Sequence, residues 1–459
     1  MSTISTSIVK EAVYKLCFDA NTCLNEQVYN KFFDAYISTT NQETKKLLEI
    51  ILQNAKVAYE KKLPLCQDTG QVIVFVELGQ NVVLSGQNLN ETINEAISKC
   101  YTDNYFRMSV VNNAVFNRNN TKTNTPAVIY TNITDGDEIN IKILIKGAGS
   151  ENKSVLNMML PTTSEEEFIQ KVGNNILAAG ENSCPPMFVG IGVGYTSDMA
   201  MLLSKKALLS ETFSEDELFL SQKIKDYVNS KSPEKYGNSF VLDVKMHTSS
   251  THIACMPVGI TLNCHSDRYS SCTINKDNVV YHHKKPDFKS FNTSEAKLSE
   301  VKTSDIETIK SLKTGDKVLL SGEVFVARDM AHKLLCELIE KGKKLPIDLK
   351  NKIILYAGPC PAKPNEIIGS IGPTTASRMD NYTAPLIAAG MIASIGKGSR
   401  NAEISELMKS NNVKYFVLQG GIAALLSQKV LKSEIIAFEH LGAEAIYKLQ
   451  VEKLPLVVA

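Results

Sequence analysis

Residues 61–79 read KKLPLCQDTGQVIVFVELG. Cys66, Gln67 and Asp68 set a soft metal ligand, an amide and a carboxylate side by side, ahead of a Thr-Gly turn and a run rich in Val, Ile and Phe. That is more chemistry than a connecting loop needs. Four further stretches match its density. KGAGSENKS, from position 146, is a glycine-bearing turn full of donors and suited to close backbone approach to an anion. SCPPMFVGIGVGYTSDMA places Cys184 before a double proline, a strand and a glycine-rich turn. HTSSTHIACMPVGITLNCH holds His252, Cys255, Cys264 and His265. ARDMAHK, GSIGPTTASRMD and IGKGSR supply Arg328, Thr374, Arg378 and Lys397.

Taken singly, each stretch has a plain structural reading. GIGVGYTS lies between a strand and a helix, as a dinucleotide-binding turn does, but its third glycine falls at 194 rather than 195, and Glu211 ends no second strand. His252, Cys255, Cys264 and His265 include zinc-ligand types, yet their spacing forms no recognised knuckle. A cysteine before two prolines is ordinarily a packed loop thiol, and isolated arginines ordinarily make salt bridges.

The elements that must position these residues are legible from pattern. Apolar residues recur at helical period from about 5 to 60, so a helical start delivers the chain to Cys66. From there to about 280, strand-like runs (VIVFVEL, EINIKILI, MFVGIGV) alternate with helical ones (ETINEAISKCY, SDMAMLLSKKALL), which predicts mixed α/β structure. A polar, charged stretch without a sustained apolar stripe follows. It divides the chain into a domain over 1–285, a linker over 286–310 and a smaller domain over 311–459, with strands at KVLLSG, KIILYAG, MIASIG and KYFVLQG.

Composition narrows the function. The chain has 459 residues, and 50 Lys plus Arg against 49 Asp plus Glu leave no electrostatic footprint for nucleic acid or an acidic membrane surface. No apolar run approaches the ~20 residues a membrane span needs. The N-terminus has no signal-like apolar segment and reads as that of a cytoplasmic protein. Ten cysteines without a CxxC pair read as reduced thiols, most of them core residues.

LCQDTG, GSENKS, CPP with its following glycines, THIACMPV with NCH, SGEVFVARDMAHK, YAGPCPA, GPTTASRMD and GKG occur in the order seen in the class I fumarases, the oxygen-sensitive iron-sulfur hydratases. Over residues from about 10 to 450 the chain resembles a fused form of that superfamily, which also holds two-subunit fumarases and tartrate dehydratases. The resemblance implies an α/β N-terminal domain with a helical start, and a C-terminal swivelling β/β/α domain. It implies a [4Fe-4S] cluster on Cys66, Cys184 and Cys264, with one iron left open as a Lewis acid. The reaction implied is hydration of fumarate to L-malate, with L(+)-tartrate dehydration or mesaconate hydration as the alternative.

Residue by residue, the resemblance gives Asp68 and Thr374 the proton at C3 as a pair. It places Gln67, Arg107, Gly149, Arg328, Arg378 and Lys397 around a small dicarboxylate. It brings His252 from the other protomer of a homodimer. The chain departs from the family at CHSDR, where CHAARR is frequent, at GAGSE in place of GGGSE, and at Cys360 in place of Ala.

Overall fold

The computed structural model describes residues 2–180, 183–291 and 298–459. The chain divides into two compact units, one built from Met1–Tyr59 and Asp68–Lys289, the other from Glu60–Gln67 and Ser290–Ala459. Both combine sheets with helices, so the fold is α/β. The predicted linker, 286–310, includes residues 292–297, which lie outside the described residues. Among the described residues no helix is long and apolar enough to cross a membrane.

The first unit runs β1 (Ser2–Ser5), α1 (Thr6–Thr22), α2 (Glu26–Ser38), α3 (Gln42–Lys61), β2 (Gln71–Gly79), β3 (Val82–Ser85), α4 (Leu89–Asp103), β4 (Val128–Thr134), β5 (Ile139–Lys146), α5 (Ala148–Glu151), β6 (Val155–Met159), α6 (Glu165–Ala179), β7 (Met187–Tyr195), α7 (Ser197–Leu208), α8 (Glu215–Lys231), β8 (Val241–Thr251), β9 (Met256–Asn263), β10 (Arg268–Ile274) and β11 (Val279–Tyr281). α3 continues two residues into the second unit. Besides the parallel pair β1-β3, two larger sheets form, in the orders β11-β10-β5-β2-β4 and β6-β9-β7-β8. Each has its own core. Val72, Val74 and Val76 of β2 and Ile139, Ile141, Ile143 and Ile145 of β5 alternate at period two and bury one face against α1 and α4. On the other sheet, Met187, Val189 and Ile191 of β7 pack with Phe168, Val172 and Ile176 of α6 and with Ile224 and Val228 of α8. Both α6 and α8 start on a capping box, Ser164 with Glu167 and Ser214 with Glu217, which fixes where the polar chain turns helical.

The second unit runs β12 (Ser299–Lys302), α9 (Ile306–Ser311), β13 (Lys317–Val326), α10 (Asp329–Glu340), β14 (Ile353–Leu355), α11 (Asp380–Ala388), β15 (Ala393–Gly396), α12 (Ala402–Ser410), β16 (Lys414–Val417), α13 (Ala423–Ser427), β17 (Val430–Ala437) and β18 (Ile446–Val458). These strands make one seven-stranded sheet in the order β12-β13-β14-β15-β16-β18-β17. β12 to β16 are parallel, and β18 closes the sheet antiparallel to β16, β17 and β13. β14 and β15 are fully buried and, Ser394 apart, carry no polar side chain, as parallel strands covered on both faces do.

Candidate active site

Strand register decides which predicted residues meet. In the first unit β2 and β5 run antiparallel with Gln71 opposite Lys146, and β10 runs antiparallel to β5 with Arg268 opposite Ile145. The loop before β2, the turn after β5 and the first residue of β10 therefore share one sheet edge. Asp68, Gly147 and Arg268 stand there. The Asp68 carboxylate accepts from the Ala148 amide at 2.9 Å and the Gly70 amide at 3.2 Å, and Arg107 Nη2 lies 3.0 Å from its Oδ1. Burial pushes the Asp68 carboxyl up, but Arg107, Arg268 and the two amides outweigh it and hold the group below the ordinary carboxylate range. The anion that the KGAGSE turn approaches is thus the protein's own Asp68. A Cβ on Gly147 would stand 3.3 Å from Asp68 Oδ2, tight enough to explain a glycine there without any unusual backbone angle.

A second edge holds two of the predicted metal ligands. β7 and β9 run antiparallel with Phe188 opposite Asn263, so Cys184 before β7 and Cys264 after β9 come to the same end of that sheet. His265 ties them: its amide donates to the Cys184 carbonyl at 3.3 Å, and its Nδ1 lies 2.9 Å from the same oxygen. Cys184 adopts φ 59°, a left-handed conformation uncommon outside glycine. Both cysteines are partly exposed, unlike Cys17, Cys100 and Cys272, which are core residues. Lys146 joins the two edges: its ammonium, 3% exposed, donates to the Leu262 carbonyl, to Asn263 Oδ1 at 2.9 Å and to Ser150 Oγ at 3.3 Å. Burial lowers its pKa to about 8 against the raising effect of Glu151.

In the second unit the parallel strands β13, β14 and β15 end together, and the catalytic candidates follow those ends, where α/β sheets bind ligands. Arg328 follows β13 and Lys397 follows β15 directly. The 373–375 segment lies between, bridging Pro373 to Ala357 and Thr375 to Lys397. Thr374 donates its amide to the Tyr356 carbonyl at 2.6 Å and accepts the Lys397 amide at 3.1 Å. Arg328 and Arg378, fifty positions apart, share one carboxylate: Arg378 grips Asp329 through Nε at 3.0 Å and Nη2 at 2.6 Å, and Arg328 Nε reaches it at 3.2 Å. Glu444 holds the other end of Arg328 at 2.9 Å.

Cys66 and Gln67 belong to the second unit. Gln67 packs on Gly372, where a Cβ would stand 2.5 Å from Gln67 Oε1, and Cys66 Sγ lies 3.4 Å from the same oxygen. Cys360 donates its thiol to the Gln67 carbonyl at 3.5 Å. Gly149 lies in α5, exposed, on the turn whose Ala148 amide holds Asp68.

His252 stands apart from these groups on the exposed turn between β8 and β9, where its Nδ1 accepts the Ala254 amide at 3.1 Å. Cys255 shares that turn. Among the described residues no three His, Cys, Asp or Glu side chains converge on the volume of a single metal ion.

Sequence reasoning passed over Arg268, Lys146, Asp329 and Glu444. The first two sit inside quoted stretches, CHSDR and KGAGSENKS, and Asp329 directly follows Arg328. What the sequence lacks is any sign that they face the candidates rather than solvent.

A family model described as fumarate hydratase (fumerase) matches residues 10–273, and one described as fumarase C-terminus matches residues 270–459. The anaerobic class I fumarate hydratase of Escherichia coli is 29% identical over 89% of this chain and 79% of its own length. In Methanocaldococcus jannaschii, a provisionally named L(+)-tartrate dehydratase subunit alpha is 35% identical over 57% of this chain and 95% of its own length. The matching subunit beta is 39% identical over 33% of this chain and 80% of its own length.

Proposed function

This chain belongs to the fumarate hydratase family, and from that premise we propose that it catalyses the reversible hydration of fumarate to L-malate with a [4Fe-4S] cluster. It is an enzyme of the hydro-lyase class. The observation that carries the substrate reading is the shared anchoring of Arg328 and Arg378 on Asp329, at the strand-end edge that also holds Thr374 and Lys397. Guanidinium forks match carboxylates bidentately, and only two of the five N–H donors of Arg378 are spent on Asp329.

Cys66, Cys184 and Cys264 would hold the cluster. The donor set fits. Thiolates are the ligands such iron takes, Cys184 and Cys264 sit partly exposed at paired strand ends, and the Lys146 ammonium nearby offsets thiolate charge. When bound, the cluster supplies a Lewis-acidic iron with an open position for a substrate oxygen.

The chain's own residues supply the rest. Arg107, Arg328, Arg378 and Lys397 bind the two carboxylates, while Gln67 and the turn at Gly149 orient the carbon skeleton through amide donors. Thr374 Oγ1 and Asp68 handle the proton at C3 as a pair. A threonine hydroxyl is too weak an acid to serve alone, and Lys397, whose backbone pairs with that of Thr374, supplies a neighbouring cation. His252 completes the site of a second copy in a homodimer.

The test is anaerobic purification followed by spectra, iron analysis and kinetics. We expect absorbance near about 400 nm, loss of bound iron in Cys184→Ser, and kcat/KM for fumarate and L-malate above that for tartrate and mesaconate. Full iron content in Cys184→Ser would remove the cluster assignment. A tartrate dehydratase is the second reading, favoured by the higher identity of the Methanocaldococcus jannaschii subunits, 35% and 39% against 29%. A reversed substrate ranking selects it.

A further inference from the structure

Among the described residues Arg268 is the largest fully buried side chain, 2% exposed. Its Nη1 reaches Asn21 Oδ1 at 3.4 Å, its Nε has no hydrogen-bond partner, and among the described residues it makes no direct ion pair. A guanidinium out of water with one long hydrogen bond and no ion pair is costly, and packing alone would be served better by an apolar side chain of that volume. Its retention therefore points to something its charge does. The geometry shows where that charge is directed. Arg268 Nη2 and Asp68 Oδ2 abut the same face of Gly147: the position of a Cβ there lies 3.5 Å from the first and 3.3 Å from the second.

Three other groups bear on this corner. Arg107 pairs with the opposite oxygen of Asp68 at 3.0 Å. Tyr101, from α4, donates its hydroxyl to the Thr69 carbonyl and feels both Arg268 and the Cys17 thiol of α1. Lys146, one residue before Gly147, turns its ammonium away toward Leu262 and Asn263. Asp68 is thus the carboxylate set between two guanidiniums, one in direct contact and one behind the turn.

We propose that Arg268 is a positioning residue for the hydration reaction: from behind the Gly147 turn, its buried charge fixes the orientation of the Asp68 carboxylate. The inference rests on the proposed role of Asp68 in that reaction. Arg268 touches no substrate and acts through Asp68, so removing it should lower kcat and leave KM nearly unchanged.

Two measurements on the iron-loaded enzyme test it. In the first, thermal unfolding midpoints are compared for the wild type, Arg268→Met, Asp68→Asn and the double variant. Coupled charges make Arg268→Met more favourable by about 2 °C or more in the Asp68→Asn background than in the wild type. Additive midpoints would overturn the proposal, whether or not the protein hydrates fumarate. In the second, Arg268→Met should lose about 10- to 100-fold in kcat with KM within about 3-fold and iron per protomer unchanged, and Arg268→Lys should recover to within about 5-fold of the wild type. Should Arg268→Met fail to fold, Arg268→Ala assayed with added guanidinium or urea decides. Guanidinium should restore turnover and urea, of the same shape without the charge, should not. Equal rescue by both, or a rise in KM at constant kcat, refutes the positioning role. A wild type with coupled midpoints and no turnover of any dicarboxylate would sink the functional reading instead.

Discussion

Asp329 offers a perturbation whose sign separates two views of the arginines. Its carboxylate takes two bonds from Arg378 and one from Arg328. On one view it orders both forks for a substrate carboxylate; on the other it is a competing anion that weakens binding. The exposures help to decide. Arg378 is 51% exposed and, among the described residues, only Asp329 receives its hydrogen bonds, whereas Arg328 is 14% exposed and keeps Glu444 when Asp329 is gone. Asp329→Ala therefore disorders chiefly Arg378. Re-ordering one long side chain on binding costs about 0.5–1.5 kcal/mol, which is roughly a 2- to 12-fold rise in KM. Asp329→Asn keeps an acceptor for the same fork and should stay within about 2-fold of the wild type. Both variants should hold kcat within about 3-fold, because neither touches Thr374 or Asp68. Because Arg378 is half exposed, the lost pair should cost the fold only about 1 kcal/mol or less. The assay is steady-state fumarate hydration under anaerobic conditions, normalised to bound iron. If Asp329→Ala lowers KM, or leaves it where it was while Asp329→Asn lowers it, charge competition outweighs ordering and the preorganisation argument fails.

Two further predictions follow from the first unit. Burial raises Asp267 to about 6, so its ionisation penalises the fold increasingly as pH climbs from the unfolded value of about 4 through about 6; Asp267→Asn should raise the unfolding midpoint at pH 7.5 and have no such effect near pH 4, and an unchanged midpoint at both would refute this. If His252 serves the partner's site, mixing inactive Asp68→Ala with inactive His252→Ala under subunit exchange should restore activity in the mixed dimers alone, and activity absent after confirmed exchange would place His252 within its own chain's chemistry or outside the site altogether.

Much of the fold was legible because its strands are apolar and bounded by glycine or proline. VIVFVEL falls within β2, EINIKILI takes in most of β5, and KIILYAG and MIASIG contain β14 and β15. The helical start and α4 were equally plain. What escaped in the seven-stranded sheet were β12, which falls in the stretch read as a linker, and β17 and β18, which pair with each other at one side of it. β18 reads IYKLQVEKLPLVV, its lysines, glutamine and glutamate falling among positions whose burial alternates imperfectly, and two register shifts in its pairing with β17 explain why the alternation breaks. The same limit applies within the site. Strand ends could be read, so Asp68, Cys184, Cys264 and Lys397 could be placed near edges. Which edges coincide depends on register, and register between β2, β5 and β10 is set by a core on one face that no local window contains.

The departures from the family pattern show what this costs in practice. Read along the sequence, alanine for glycine in GAGSE looks like a loss of freedom in a ligand turn. In the structure Ala148 is the first residue of α5, its φ is negative, and its work is done by a backbone amide that any residue carries. A methyl group there asks for no strained angle and suits a helix better than glycine does. Gly147 is the constrained position, since its missing side chain leaves room on one face for both Asp68 Oδ2 and Arg268 Nη2. CHSDR is the opposite case. Its single arginine is the buried one at 268, and the acid before it is buried too: Asp267 accepts from Asn263, which in turn accepts from Lys146. Asp267 is therefore part of the bonded chain that fixes the end of β9, and Cys264 follows that end directly.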